Sequence, residues 1–257
     1  MIELNKIYNE DCLVTMQKLN GVDCVLTSPP YNTSRKGATD LSTHQCRYEN
    51  YNDSMTDEEY IDWSVRLFSS FDNVLKENGC VLYNVSYSSE NTWMLWNMIS
   101  DIQRKTNFTV ADCIVWKKKS ALPNNVSPNK LTRICEFVFV FCRKSELATF
   151  NCYKGVTSER KTGQTMYKNV FNFIEAPNND GSCPIHKATY STELCEKLLM
   201  LYTKEGDVVY DPFMGTGTTA IACHRGKRKW VGSEISANYC DYANRRITAE
   251  TSQLSLF

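Results

Sequence analysis

The stretch that most constrains the fold is Val22-Asp23-Cys24-Val25-Leu26-Thr27, an apolar run of strand length that stops at Ser28-Pro29-Pro30-Tyr31-Asn32. Each proline fixes its own φ and has no N–H for a sheet ladder, so the strand must end there. Ser28, which precedes a proline, is pushed towards an extended conformation. The result is a stiff, extended tetrapeptide at the carboxyl end of a buried strand, the edge where open α/β sheets bind ligands. Its carbonyls have no helix or ladder to enter and are available to accept hydrogen bonds. Such a turn suits an amino group held beside an aromatic plane. Taken alone it is also a common way for a strand to leave a sheet.

A second punctuation mark stands near the other end of the chain. Val208-Val209-Tyr210 reads as a strand, Asp211-Pro212-Phe213-Met214-Gly215-Thr216-Gly217 as a glycine turn, and Thr218-Thr219 as a helix start. Gly215 and Gly217 let backbone approach a ligand closely, and the helix start offers unpaired N–H groups to an anionic group. Roughly 20 residues beyond such a loop, a carboxylate ending the next strand can take ribose hydroxyls. Lys229-Trp230-Val231-Gly232-Ser233 leads to Glu234 in that position. The third glycine of the dinucleotide fingerprint is missing and Asp211-Pro212-Phe213 precedes the turn, so a dehydrogenase fits poorly. S-adenosylmethionine is the other adenosine-bearing cofactor that uses such a loop.

Between the two marks, strands and helices alternate. Asn5–Asp11 reads as a short strand and Cys12–Leu19 as a helix with Leu13, Met16 and Leu19 on one face. Asn32–Met55, with Arg35, Lys36, Gly37, His44 and Arg47, is polar and irregular; a loop of that length suggests a lid or binding loop. Thr56-Asp57-Glu58-Glu59 is a capping box opening a helix to about Asn78, with Ile61, Val65, Phe68, Phe71 and Leu75 on its core face and Gly79 as its stop. Cys80–Val85, Phe108–Trp116 and Ile134–Cys142 read as strands, and Glu90–Lys105 as a helix. Lys117–Thr132 is a basic loop, and Ser145–Asn169, without a clear period, is a small substrate-facing insert. Ser191 caps a helix carrying Leu194, Leu198 and Leu201. This alternation predicts one α/β domain with a largely parallel, buried sheet.

Composition narrows the class. A chain of 257 residues is long enough for a sizeable core. No apolar run is long enough to span a bilayer and no signal peptide opens the sequence, so the expected location is cytoplasmic. The 12 cysteines and 3 histidines lack zinc-ligand spacing, which predicts reduced thiols and no metal site. Formal net charge is zero. The basic clusters Lys117-Lys118-Lys119, Arg143-Lys144, Arg160-Lys161 and Arg225–Lys229 read as solvated faces, and as a phosphate-tracking surface if several share one side.

Together the two motifs resemble the amino-directed DNA methyltransferases. In that family Asp-Pro-Phe-x-Gly-x-Gly-Thr binds S-adenosylmethionine and Ser/Asn/Asp-Pro-Pro-Tyr/Phe is the catalytic tetrapeptide. The catalytic motif comes first here, as in the permuted (beta) group. Asn9-Glu10-Asp11-Cys12 is similar to the opening acidic motif and His186-Lys187-Ala188-Thr189-Tyr190 to the segment before the cofactor strand; Tyr239, Ala243 and Arg246 fit the last helix. Ser191 departs from a common proline, and the insert after Cys142 is small for a target-recognition region, which makes the 32–55 loop a substitute reader.

The resemblance implies one Rossmann-like methyltransferase domain over 1–257 with a mostly parallel, doubly wound sheet. Its catalytic half spans about 1–142, a small target-recognition insert about 143–170 and the cofactor-binding half about 184–250. It implies Ser28, Pro29, Pro30 and Tyr31 as catalytic, with Ser28 Oγ and the Pro29 carbonyl accepting from the target amino group and Tyr31 stacking on a flipped base. Asp11, Asp211, Phe213, Gly215, Gly217, Thr218 and Glu234 would form the cofactor site, Asp11 at the adenine amino group and Glu234 at the ribose. Serine at the first tetrapeptide position looks more like the cytosine-N4 enzymes, with adenine-N6 the alternative. Carbon-5 methylation is disfavoured because no proline precedes a cysteine. Double-stranded DNA is the implied partner, with a second copy of the chain and a cognate restriction endonuclease as candidates. Two other classes compete: a methyltransferase acting on RNA or a protein amide, and a non-catalytic DNA-binding regulator, against which the intact motifs count.

Overall fold

The apolar run becomes β2 (Val22–Thr27), buried at every position. Its side chains alternate between two cores, Cys24 and Leu26 into one and Val22 and Val25 into the other. A strand buried on both faces needs a helical layer on each side, and the chain supplies both. In the computed structural model, residues 2–32, 55–87, 91–121, 123, 127–181 and 189–254 are described. The irregular loop 33–54 and the segment 182–188, with His186, Lys187 and Ala188, lie outside them, as does Glu90.

After β1 (Lys6–Tyr8), α1 (Cys12–Met16), α2 (Asp57–Val74) and α3 (Trp93–Lys105) pack on one face of the sheet. The opposite face is covered by α4 (Thr192–Tyr202), α5 (Thr218–Arg225) and α6 (Ala237–Leu254). With β3 (Leu75–Val85), β4 (Phe108–Lys118), β5 (Cys135–Arg143), β8 (Phe173–Ala176), β9 (Val208–Asp211) and β10 (Lys229–Ser233), the described strands form an eight-stranded sheet. Its order is β1-β10-β9-β2-β3-β5-β4-β8. Every neighbouring pair is parallel except the two that involve β5. The expected doubly wound, mostly parallel architecture is therefore the one adopted.

The capping box predicted at Thr56 forms, with Thr56 and Glu59 bonding each other's backbone, and Ser191 caps α4 by accepting from Leu194. Several boundaries differ from expectation: β1 is shorter than Asn5–Asp11, α1 stops at Met16 before Leu19 and α3 begins at Trp93. The helix predicted to run to about Asn78 ends at Val74, because Leu75 turns extended and pairs with Val22 of β2. Arg143 holds this bend by donating to the carbonyls of Asp72, Leu75 and Lys76 while pairing with the Asp72 carboxylate. Gly79 is not a helix stop. It lies in β3, where an added Cβ would come within 3.2 Å of the Asp23 carbonyl.

The stretch 145–169, which lacks a sequence period, contains a hairpin, β6 (Val156–Glu159) with β7 (Thr165–Tyr167), apart from the main sheet. β8 was not apparent from the sequence at all; it is short and lies at the sheet edge. No described helix is long and apolar enough to cross a membrane.

Candidate active site

β2 and β9 are parallel neighbours, with Cys24 opposite Val209 and Val25 opposite Tyr210. Both motifs therefore leave the sheet at the same edge. The last residue of β2 is tied to the last of β9 where Thr27 Oγ1 donates to Asp211 Oδ1 at 2.8 Å, both residues being buried. The proline turn and the glycine turn, 184 residues apart at this bond, start from one point.

At the proline turn, Pro29 and Pro30 are buried and Ser28 and Tyr31 half-buried. The two proline carbonyls, both expected to be available, differ. The Pro30 carbonyl accepts from the Tyr60 hydroxyl at 2.7 Å, whereas the Pro29 carbonyl accepts from no described residue. Tyr60 stacks on Trp63, whose ring lies 5.6 Å from that of Phe213 in the glycine turn, so α2 touches both motifs.

Three side chains converge here: Asn84 and Glu136, which no sequence motif marks, and Lys118 from the basic cluster. Asn84 Nδ2 from β3 donates to the Tyr31 hydroxyl at 2.7 Å and to Glu136 Oε2 at 3.1 Å, and lies 3.4 Å from Ser28 Oγ. The Tyr31 hydroxyl donates to Glu136 Oε2 at 3.1 Å and is 3.0 Å from Ser28 Oγ. Lys118 Nζ from β4 pairs with the other carboxylate oxygen of Glu136. Asn84 Oδ1 is buried with no hydrogen-bond partner among the described residues. The available clue was polarity: Asn84 interrupts the apolar run Cys80–Val85, and Glu136 is the charge at the head of an otherwise apolar strand.

The glycine turn is shaped by backbone freedom and two carboxylates. Gly217 has φ +86° and caps α5, and its missing Cβ would lie 3.1 Å from the Ala243 Cβ of α6. Gly215 donates its N–H to Glu234 Oε2 at 2.9 Å, while Glu234 Oε1 accepts from Ser236 N at 2.9 Å. Each Glu234 oxygen keeps a lone pair for a ligand. Burial pushes the Glu234 carboxyl above the usual carboxylate range, partly offset by those backbone bonds.

Asp211 is held among protein donors. Thr27 Oγ1 and Phe213 N donate to Oδ1, and Thr219 Oγ1 and Tyr190 OH lie against Oδ2. Those two hydroxyls also contact each other, so their two hydrogens serve three contacts. Asp211 thus holds the turn. Its carboxyl is also pushed up by burial against the pull of these bonds. Arg246 braces the same turn by donating to the Thr216 carbonyl at 2.8 Å.

Asp11 caps α1 by accepting from Leu13 N at 2.7 Å. It follows β1 as Glu234 follows β10, and Asn9 Nδ2 donates to the Glu234 carbonyl at 2.8 Å. Asp11, Glu234, the glycine turn and Ser28 therefore leave four adjacent parallel strands, β1-β10-β9-β2, at one edge. Two of the basic clusters carry carboxylate partners. Lys117, Lys118 and Lys119 face Glu175, Glu136 and Glu193, and Arg225 faces Glu196 and Glu250.

A doubly wound α/β sheet with a proline turn and a glycine turn at adjacent strand ends is the architecture of a group-transfer domain that uses a nucleoside cofactor. A family model described as "DNA methylase", covering N6 and N4 enzymes, matches residues 22–245, and the chain belongs to that family of S-adenosylmethionine-dependent DNA methyltransferases. It is 28% identical to the type II methyltransferase M.Cfr9I of Citrobacter freundii, over 97% of this chain and 90% of that protein. Among solved structures, the fold matches the cytosine-N4-specific PvuII DNA methyltransferase with a TM-score of 0.70 at 18% identity, over 96% of this chain and 91% of the other. It also matches an M1.HpyAVI–SAM complex with a TM-score of 0.59 at 20% identity, covering 94% and 98%.

Proposed function

We propose that the chain transfers a methyl group to the exocyclic N4 of a cytosine flipped out of duplex DNA, as a site-specific methyltransferase of the type II kind. The observation that carries this reading is the order along the sheet edge. Asp11, Glu234, the glycine turn and Ser28 leave consecutive strands β1, β10, β9 and β2. That order matches adenine amino group, ribose, methionine portion and target nitrogen, each beside the residue suited to it. Phe213, Gly215, Gly217 and Thr218 would line the cofactor and Asp211 would hold their turn in shape. When bound, S-adenosylmethionine supplies an electrophilic methyl group on sulfur.

The chain's own residues supply position and electrostatics. The lone pair of a ring amino group is delocalised, so the nitrogen is a poor nucleophile until its N–H bonds are held and its lone pair aimed. Ser28 Oγ and the Pro29 carbonyl accept those two N–H groups and stabilise the positive charge that grows on nitrogen, with no covalent enzyme intermediate. Tyr31 stacks on the base. Flipping costs a few kcal/mol, and stacking of about 1–3 kcal/mol offsets much of it.

Cytosine N4 is favoured over adenine N6 by Ser28 at the first tetrapeptide position and by the likeness to a fold neighbour described as cytosine-N4-specific. The rest of the reading assigns catalysis to about 1–142, cofactor binding to about 184–250 and target recognition to about 143–170, where the β6–β7 hairpin carries Arg160 and Lys161 in its turn. The 33–54 loop would share the recognition. A cytoplasmic location, a second copy of the chain and a cognate endonuclease complete the picture. Digesting DNA methylated by this protein to nucleosides is expected to yield N4-methyl-2′-deoxycytidine by mass. Finding N6-methyl-2′-deoxyadenosine alone would overturn the choice of base.

A further inference from the structure

The hydrogen bonds around Tyr31 have a direction. The phenol has one hydrogen, and it goes to Glu136 Oε2 at 3.1 Å. Between Ser28 Oγ and Tyr31 OH, 3.0 Å apart, the donor must then be Ser28. Asn84 reinforces this sense, because its Nδ2 donates to both Tyr31 OH and Glu136 Oε2 and can accept from neither. The order is Ser28 O–H to Tyr31 O–H to carboxylate. With its hydrogen so committed, Ser28 presents lone pairs to whatever enters the crevice.

From this geometry we infer that Ser28, Tyr31 and Glu136 form a one-way proton path out of the methyl-transfer site, ending at Glu136, which acts as a positioning and proton-accepting residue. The inference rests on the proposed reading of Ser28 as the acceptor for the target amino group. In the step, the amino nitrogen uses its lone pair to form the N–CH₃ bond, the carbon–sulfur bond breaks and its electron pair stays on sulfur. The nitrogen then carries a positive charge and must lose one proton. Ser28 Oγ takes that proton as it passes its own to Tyr31, and Tyr31 passes its own to Glu136 Oε2. The carboxylate becomes a carboxylic acid, and one proton has left the site with charge balanced. Lys118, paired with Oε1, keeps Oε2 turned towards Tyr31. Among the described residues, the groups bonded to Glu136 are Tyr31 from the β2 end, Lys118 from β4 and the uncharged Asn84 from β3.

The test is single-turnover methylation of duplex DNA by the full chain, with cofactor affinity measured by calorimetry on the same proteins. Glu136→Gln can still accept the Tyr31 hydrogen bond but cannot take a proton. Tyr31→Phe keeps an aromatic face for stacking and cuts the path. Each is expected to slow the methyl-transfer step by about 10²-fold or more, with the cofactor dissociation constant unchanged within twofold. Glu136→Asp, which still offers a carboxylate to Tyr31, is expected to restore part of the lost rate. A Glu136→Gln enzyme with the wild-type rate would overturn the proton path. Should that variant fail to fold, a Tyr31→Phe enzyme of wild-type rate overturns it equally. Ser28→Ala separates the two levels: full activity there defeats the reading of the site itself, whereas loss there with Glu136→Gln unaffected defeats the path alone.

Discussion

Replacing Ser28 with alanine is expected to slow methyl transfer by about 10²–10³-fold, the usual cost of removing one preorganised group aimed at developing charge. The substitution removes the hydroxyl proposed to accept from the target amino group, and with it the Ser28–Tyr31 bond, while leaving the other bonds of the turn intact. Tyr31 still accepts from Asn84 and donates to Glu136, and Pro30 is still held by Tyr60. Folding and cofactor affinity should therefore be unchanged, and the whole effect should fall on the chemical step. Rapid-quench kinetics with saturating cofactor measure it directly. A Ser28→Ala enzyme within threefold of wild type would show that the tetrapeptide does not act through its hydroxyl.

The second large effect is expected at Asp211, on stability. Alanine there removes the shared acceptor of the buried Thr27 and Thr219 and the half-buried Phe213 N and Tyr190. The hydroxyls can rotate towards other acceptors, but the Phe213 N–H cannot. Leaving such donors unpaired, with bonds to a charged group lost, is expected to cost about 3–5 kcal/mol, read as a lowered urea midpoint. The glycine turn should lose its shape with it, so cofactor binding should weaken in the same variant. Asn at this position retains a carbonyl for Phe213 N and Thr27. It also removes the penalty for burying charge that holds the Asp211 carboxyl above its ordinary value. Asp211→Asn is accordingly expected to recover most of the loss, and an alanine variant within 1 kcal/mol of wild type, on the scale set by a single unsatisfied buried group, would contradict this account.

Much of the scaffold can be read locally. A strand that runs into two prolines, a capping box at Thr56–Glu59 and a serine cap at Ser191 each act through residues within four positions of one another, and each forms as expected. The pairing of the two turns follows from chain order and the rules of parallel sheets. What the sequence hides is register. Asn84, Glu136 and Lys118 meet only because β3, β5 and β4 align them, and no local pattern encodes that alignment. The same holds for Tyr60, which reaches the Pro30 carbonyl from α2 across 30 residues of chain. Asp211 is another case: its motif places it beside the glycine turn, but the hydroxyls of Thr27, Thr219 and Tyr190 that surround it come from distant or unmarked positions. The end of α2 at Val74 is invisible in the sequence because helical spacing continues through Leu75. Strand pairing with Val22 prevails over that local preference.

The central claim is that the ends of β2 and β9 build one crevice in which methyl donor and acceptor nitrogen meet. A crystal structure of the protein with sinefungin, whose amine stands where the methyl sulfonium would, tests this most directly. The account predicts the adenine at Asp11, the ribose on Glu234 and the amine opening towards Ser28 Oγ and the Pro29 carbonyl. An analogue bound with its amine turned away from the proline turn, or seated at another edge of the sheet, would contradict it.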